Sequence, residues 1–272
     1  MSSKLSLKNR FFSQSSHFFV RPPKHIQEQT THLETKLRHA SKELQHKYSR
    51  NLDLSWIAHD SAIEGFVYTF EELEIAFSCD PSSSSHPMDA NMEQIYGEIK
   101  NYRAALHFIR QCVVDPNLSV TTDIIKGIYA ALHPEAGEAK SIKYRKETPQ
   151  HRLYFHEYAP PDKISSRMAQ IIDWVNDPIV LKKRGPFRMA VRAHYDLLRV
   201  FPFPQNSGKV ARLFLNLLLL RNGYPPAIIH STERQRYYEA LKGSITTMET
   251  IVLESIENGL ASIQKLIRDY EH

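Results

Sequence analysis

Glycine is scarce in this chain: nine residues are spread over 272 positions. Strand-like alternation is also rare, so a turn-rich β-sandwich or barrel is excluded and an all-α fold is predicted. Cysteine is rarer still. Cys79 and Cys112 are the only two, which rules out a disulfide framework and points to a reducing, cytoplasmic setting. No apolar run approaches the roughly 20 residues needed to cross a bilayer. The longest surrounds Leu217 to Leu220, lies between Arg212 and Arg221, and contains Asn216. No membrane partner is therefore expected. A strong charge of one sign is missing as well: the net charge is +5. With no recognition-helix motif beside it, that charge gives little reason to expect nucleic-acid binding. No internal repeat is visible, and no Walker A loop, since its first Gly and its closing Ser/Thr are absent.

What the chain does contain is apolar residue at helical spacing. With 42% hydrophobic residues it can bury a sizeable core. Residues 1–25 are basic and carry no acid, with Lys4, Lys8, Arg10, Arg21 and Lys24; they are expected to form a solvated or loosely docked segment, with a membrane-surface or nucleic-acid arm as the sharper alternative. Ser13, Gln14, Ser15 and Ser16 interrupt its Phe pairs, which disfavours a signal peptide. Residues 26–272 are predicted to form a single helical domain. Ile26, Leu33, Leu37, Leu44 and Tyr48 place a helix over 26–50, another covers 51–63, and Gly65 can end it. Thr69 and Glu72 form a capping box. Further helices are predicted over 90–113, 121–132, 162–175, 187–200, 207–222, 232–241 and 245–270. Between them, residues 79–89 read as a loop. Residues 152–158 alternate enough to suggest a short strand or hairpin.

Residues 194–226 are the most informative stretch. An apolar helix runs into Phe201-Pro202-Phe203, a short polar turn follows, and a second, strongly apolar helix begins near Ser207. N–H groups at a helix start lack internal acceptors, and the helix dipole adds positive potential there. Gly208 permits close approach to the backbone. Lys209 and Arg212, three apart, share a face of the new helix and can clamp a phosphate. The plainer alternative is that Ser207 is an ordinary N-cap followed by a solvated Lys209.

The same stretch resembles the signature of the Fic (Fido) family, His-Pro-Phe-x-Asp/Glu-Gly-Asn-Gly-Arg-x-x-Arg. Pro202, Phe203, Gly208 and Arg212 match, and residues 211–226 (ARLFLNLLLLRNGYPP) are close to a family helix and its exit. The rest departs. Phe201 stands at the position of the family's catalytic His, Gln205 at that of the metal-binding acid, Asn206 at a Gly, Ser207 at the Asn and Lys209 at the first Arg. Phenylalanine has no lone pair to take a proton. An amide is a poor substitute for a carboxylate on Mg²⁺. The resemblance implies a helical fold and an adenylyl-transferase ancestry, with catalytic positions Phe201, Gln205 and Ser207 degenerate and no intact metal site.

Other residues follow from the resemblance. Ser61-Ala-Ile-Glu64-Gly65 resembles the family's inhibitory helix, whose Glu pairs with the second signature Arg and obstructs the γ-phosphate of ATP. This implies a Glu64–Arg212 pair, although Asp60 replaces the family's Ser/Thr and Glu64 can also be read as a surface carboxylate. Residues 141–158 occupy the place of the family's flap, which gives Tyr144, His151, Leu153 and Phe155 as target-binding positions. His151 or His156 can supply a replacement base. His194 reads as a structural histidine. Tyr237 and Tyr238 lie where the nucleotide's base or ribose would sit, or else pack in the core. Asn206, Ser207, Gly208, Lys209 and Arg212 complete the expected anion site. The expected ligand is ATP or another nucleotide, with Mg²⁺ disfavoured. A protein partner and a homodimer are expected on the same grounds. The function these observations favour is a nucleotide-binding or protein-interaction module with little or no AMP transfer; the alternative is a transferase acting on protein hydroxyls with a different base.

Overall fold

The computed structural model describes residues 25–78, 90–115, 118–149 and 157–271. These residues form eleven α-helices joined by turns and 3-10 segments, with no strand among them. The fold is all-α, and no helix of the described residues is long and apolar enough to cross a membrane. The basic segment 1–24, the loop 79–89 and most of the predicted strand at 152–158 lie outside the described residues.

The chain opens with α1 (His25–His39) and α2 (Lys42–Ile63). The predicted boundary near residue 50 is wrong: the break falls at Ala40-Ser41. Ser41 caps α2, its Oγ accepting the Leu44 N–H at 3.1 Å, an arrangement that contributes about 1 kcal/mol. Leu33, Leu37 and Leu44 are all buried, so apolar spacing runs across the break and conceals it. α2 ends as anticipated at Gly65 (φ +96°). Phe66 N–H donates to Ser61 O and Gly65 N–H to Ala62 O, both at 3.0 Å, which is the Schellman pattern. α3 (Phe70–Ser78) starts on the capping box: Thr69 Oγ1 accepts the Glu72 N–H at 3.1 Å and Glu72 accepts the Thr69 N–H at 2.7 Å.

α4 (Ala90–Val114) and α5 (Thr122–Leu132) pack on each other, followed by α6 (Ile164–Val175), a short α7 (Pro178–Arg184), α8 (Pro186–Val200) and α9 (Ser207–Arg221). α7 was not anticipated. Asp177 caps it, and Pro178 occupies its first turn, where a missing N–H costs nothing. α10 (Arg234–Lys242) and α11 (Ile245–Glu271) close the chain.

α9 is the axis of the molecule. Every residue from Ser207 to Leu219 is buried, with α8, α4 and α5 packed around it. A helix that is apolar on all sides has to be enclosed in this way. Its one interior amide, Asn216, is satisfied by Ala227: Oδ1 accepts that residue's N–H at 2.7 Å and Nδ2 donates to its carbonyl at 3.2 Å. This fixes the exit of α9 against the chain that follows. The site described next lies at the opposite end of the helix.

Candidate functional site

The turn from α8 to α9 is bracketed by two non-glycine residues of positive φ, Phe201 (48°) and Asn206 (51°). Such conformations cost roughly 1–2 kcal/mol each and persist only where surroundings impose them. At Phe201 the imposition comes from packing and from Arg145. The ring is buried and lies 4.5 Å from that of Tyr158. Arg145 Nε donates to the Phe201 carbonyl at 2.6 Å, while its guanidinium also reaches the carbonyls of Ala159 (2.5 Å), Val200 (3.2 Å) and Glu147 (2.8 Å). Arg145 is itself buried. It staples the chain on either side of the flap position to the signature turn.

Inside the turn, Phe203 stacks on Tyr129 with ring centroids 4.3 Å apart. Tyr144, expected to face a target, has its ring 5.9 Å from Phe203 and is half-buried. His151, Leu153 and Phe155 lie outside the described residues. The Ser207 hydroxyl is taken up locally, accepting the Phe203 N–H at 2.9 Å and donating to the Phe203 carbonyl at 3.0 Å. The residue at the N-cap is Asn206 rather than Ser207, whose side chain therefore caps nothing. Gln205 is exposed.

Asn206 brings in a residue that sequence reasoning missed. Its Nδ2 lies 2.8 Å from His133 Nε2, and His133 Nδ1 lies 2.8 Å from Glu135 Oε1. A carboxylate can only accept, so Nδ1 carries a proton, and in the neutral ring the Nε2 lone pair is left to accept from Asn206. His133 and Asn206 are 73 positions apart in sequence, and nothing in the spacing signals their meeting.

The first turn of α9 supplies N–H groups from Ser207, Gly208 and Lys209 that precede the first intrahelical bond, from Val210 to Asn206. Lys209 is buried, with its ammonium 5.5 Å from the Phe66 ring and 5.8 Å from that of Tyr102. Burial pushes its pKa down, opposed by the charges of Asp60, Glu64 and Glu98.

Arg212 is 2% exposed and meets two carboxylates from the end of α2. Its Nε pairs with Asp60 Oδ1 and its Nη2 with Asp60 Oδ2 at 3.2 Å; the same Nη2 reaches Glu64 Oε1 at 2.7 Å. The Glu64–Arg212 pair expected from the resemblance is thus present, and the bidentate partner beside it is Asp60. Of the two places open to Tyr237 and Tyr238, beside a nucleotide or in the core, burial favours the core. Both are buried, so neither offers a ring face to a ligand. Tyr237 lies under the guanidinium, 5.8 Å from its carbon, and its hydroxyl is 2.9 Å from His194 Nε2. Tyr238 donates to the Ile63 carbonyl, fastening α10 to the end of α2. Burial first, and then the charge of Arg212, lowers the His194 pKa to about 3, so this ring is neutral in the fold.

The turn offers an exposed amide where Mg²⁺ would want a charged oxygen, and both carboxylates at the site hold Arg212. Among the described residues no cluster of His, Cys, Asp and Glu is placed to hold a metal.

Residues 119–219, which run from the start of α5 through the signature turn and nearly to the end of α9, match the model of the Fic/DOC family. The chain thus carries a Fic-family segment. It is 28% identical over 189 residues to Protein adenylyltransferase Fic of Nematostella vectensis, covering 68% of this chain and 42% of that protein. It is 25% identical over 240 residues to Protein adenylyltransferase fic-1 of Caenorhabditis briggsae, covering 85% and 45%. The chain thus spans less than half the length of these curated relatives. Among solved structures, a Fic-domain-containing signaling protein from Bacteroides thetaiotaomicron superposes with a TM-score of 0.69 at 19% identity, over 88% of this chain and 98% of that one. Fic-1 from C. elegans superposes with a TM-score of 0.68 at 23% identity, over 91% and 72%. Both share the helical fold described above.

Proposed function

We propose that this Fic-fold chain is a binding module, holding a phosphate or nucleotide phosphate at the start of α9 or docking a protein partner there, and transferring little or no AMP. The observation that carries this reading is Phe201. The residue at the position of the family's proton acceptor is a buried hydrocarbon ring packed on Tyr158. Gln205 provides no charge to hold a cation, so proton transfer and charge neutralisation are lost together. The anion-binding part persists in the N–H groups of Ser207, Gly208 and Lys209 and in the Lys209 ammonium. Incubation with radiolabelled ATP and a cell lysate tests the reading. No labelled band above a heat-killed control is expected, and a band that requires the native protein would refute it.

A second reading, transfer to a protein hydroxyl by another base, is favoured by His133. Its Nε2 lone pair faces the turn, and Glu135 holds it in the tautomer a base requires. In that reaction the hydroxyl proton passes to Nε2 and the oxygen bonds the α-phosphorus of a nucleoside triphosphate. Pyrophosphate leaves with the electron pair of the broken P–O bond. Labelling that is abolished in His133→Ala and unaffected in Phe201→Ala would establish this reading over the first.

A further inference from the structure

We propose that a groove between α2 and α11 is the seat of this chain's own basic segment, residues 1–24, held there by an aromatic ring and by acidic side chains. None of the groove's lining residues belongs to the signature turn. The two helices are tied at one end, where the Tyr270 hydroxyl donates to Glu43 at 3.0 Å and accepts from Ser41 at 2.9 Å. Beyond that tie the space between them is open. Ile251, Ser255, Ser262, Leu266 and Asp269 of α11 face it at helical spacing, opposite Leu52 and Ser55 of α2, and it holds about 1070 Å³. Small side chains at Ser255 and Ser262 leave it unfilled. The stripe from Ile251 to Asp269 is about 27 Å long, room for about eight residues of extended chain.

The groove is acidic. Glu233, Glu254, Glu257 and Asp269 line it, with Lys265 the one Lys or Arg among them. Arg236, just outside, is bound to both Glu233 and Glu254. Its counterpart in the sequence is residues 1–24, which carry Lys4, Lys8, Arg10, Arg21 and Lys24 and no acid. Those five cations equal the net charge of the whole chain, +5, so the remainder is balanced and they are its unmatched charge. An apolar cavity of about 270 Å³ adjoins the groove, sharing Leu52, Pro225, Pro226 and Ile263 with it and walled by Leu33, Leu37, Trp56 and Leu260. A dry cavity of roughly 150 Å³ accepts benzene, so this one has room for a phenylalanine ring. Residues 1–24 offer Phe11-Phe12 and Phe18-Phe19. Reach favours the second pair. Gln27, in the first turn of α1, donates to the Asn222 carbonyl at 3.0 Å, so the chain enters α1 close to the two shared prolines. Thr30, on the cavity wall, lies about 8 Å along α1 from its start. The six residues between Phe18 and His25 can span up to about 20 Å.

Amide hydrogen exchange of the full chain tests the docking. Residues 1–24 are expected to exchange at least roughly tenfold more slowly than the same sequence as a free peptide. Phe18→Ser with Phe19→Ser should abolish that protection by removing the anchor. Glu257→Lys with Asp269→Lys should weaken it; both positions are exposed, so the fold is expected to tolerate the change. Added salt should weaken it in wild type as well, since charge holds part of the segment. A photoreactive benzoyl-phenylalanine at position 18 should cross-link to α2, α11 or residues 220–226 of the same chain. Free-peptide exchange rates in wild type, or protection untouched by both pairs of substitutions, would overturn the proposal. Cross-links that join two chains would overturn it too, by making a second copy the occupant.

Discussion

Two buried arginines flank the signature turn, and they are held in opposite ways. Arg145 lies among neutral acceptors, the carbonyls of Glu147, Ala159, Val200 and Phe201. Arg212 lies between the carboxylates of Asp60 and Glu64. The first keeps a charge in the interior to fasten backbone: burial lowers its pKa, with the nearby Tyr158 opposing. The second has its charge cancelled. Arg145 therefore shapes the turn, while what Arg212 offers a ligand is decided by its partners. A buried cation at a binding site is a ligand group only when its counterions permit it.

This contrast can be broken by mutation. Arg212→Ala leaves two carboxylates buried without a cation and is expected to cost about 3–5 kcal/mol, read by chemical denaturation at pH 7. Adding Asp60→Asn and Glu64→Gln to the same chain should restore much of that loss, because the orphaned charges are removed. Arg145→Ala is expected to cost somewhat less, about 2–3 kcal/mol, since it strands neutral carbonyls. The two carboxylate changes should not rescue it. Equal rescue of both variants would show that the two arginines do not differ in the way described.

A smaller effect concerns His194, the ring behind Arg212. Its pKa is about 3 in the fold against the ordinary 6.5, owing to burial and then to Arg212. The unfolded chain takes up this proton below 6.5 and the folded chain does not. The stability it represents is therefore complete above pH 6.5 and lost as pH falls toward 3. By pH 5 the loss is about 2 kcal/mol. His59, lowered to about 4 by burial and by His230, titrates in the same window. His194→Gln should accordingly flatten the slope between pH 6.5 and 5 without abolishing it. An unchanged slope would mean that the ring is not held neutral.

The sequence made some of this legible and not the rest, for identifiable reasons. α9, the Thr69–Glu72 box and the stop at Gly65 carry local chemistry that belongs to one structure. Glu64 reaching Arg212 was implied by family resemblance. Asp60 was visible only as a departure from the pattern, since a carboxylate's partner across 152 positions leaves no local mark. Arg145 was invisible as a staple because its acceptors are carbonyls, which every residue has. Tyr237 and Tyr238 were open to two readings, and burial favours packing. The break at Ser41 was hidden by apolar spacing that continues through it.

The smallest expected effect is the most informative about how far the turn has diverged. Phe201→His alone should leave self-labelling from ATP and Mg²⁺ at background. His tolerates positive φ at least as well as Phe, so the backbone can accept the change. The substituted ring would still lack a charged oxygen at Gln205 to hold a cation, and groups that act as a unit do not contribute singly. Signature repair requires Phe201→His, Gln205→Asp, Asn206→Gly, Ser207→Asn and Lys209→Arg, with Glu64→Gly to free Arg212. The contrast between the two arginines adds one more change. With Asp60 retained, the repaired turn still faces a guanidinium whose fork is closed, and labelling should stay faint. With Asp60→Ser included, it should rise clearly above background. If the repaired chain labels equally with and without that last change, Arg212 was never withheld by Asp60. If neither labels although both fold, the pocket has moved away from transfer chemistry beyond the signature, and the binding-module reading is strengthened.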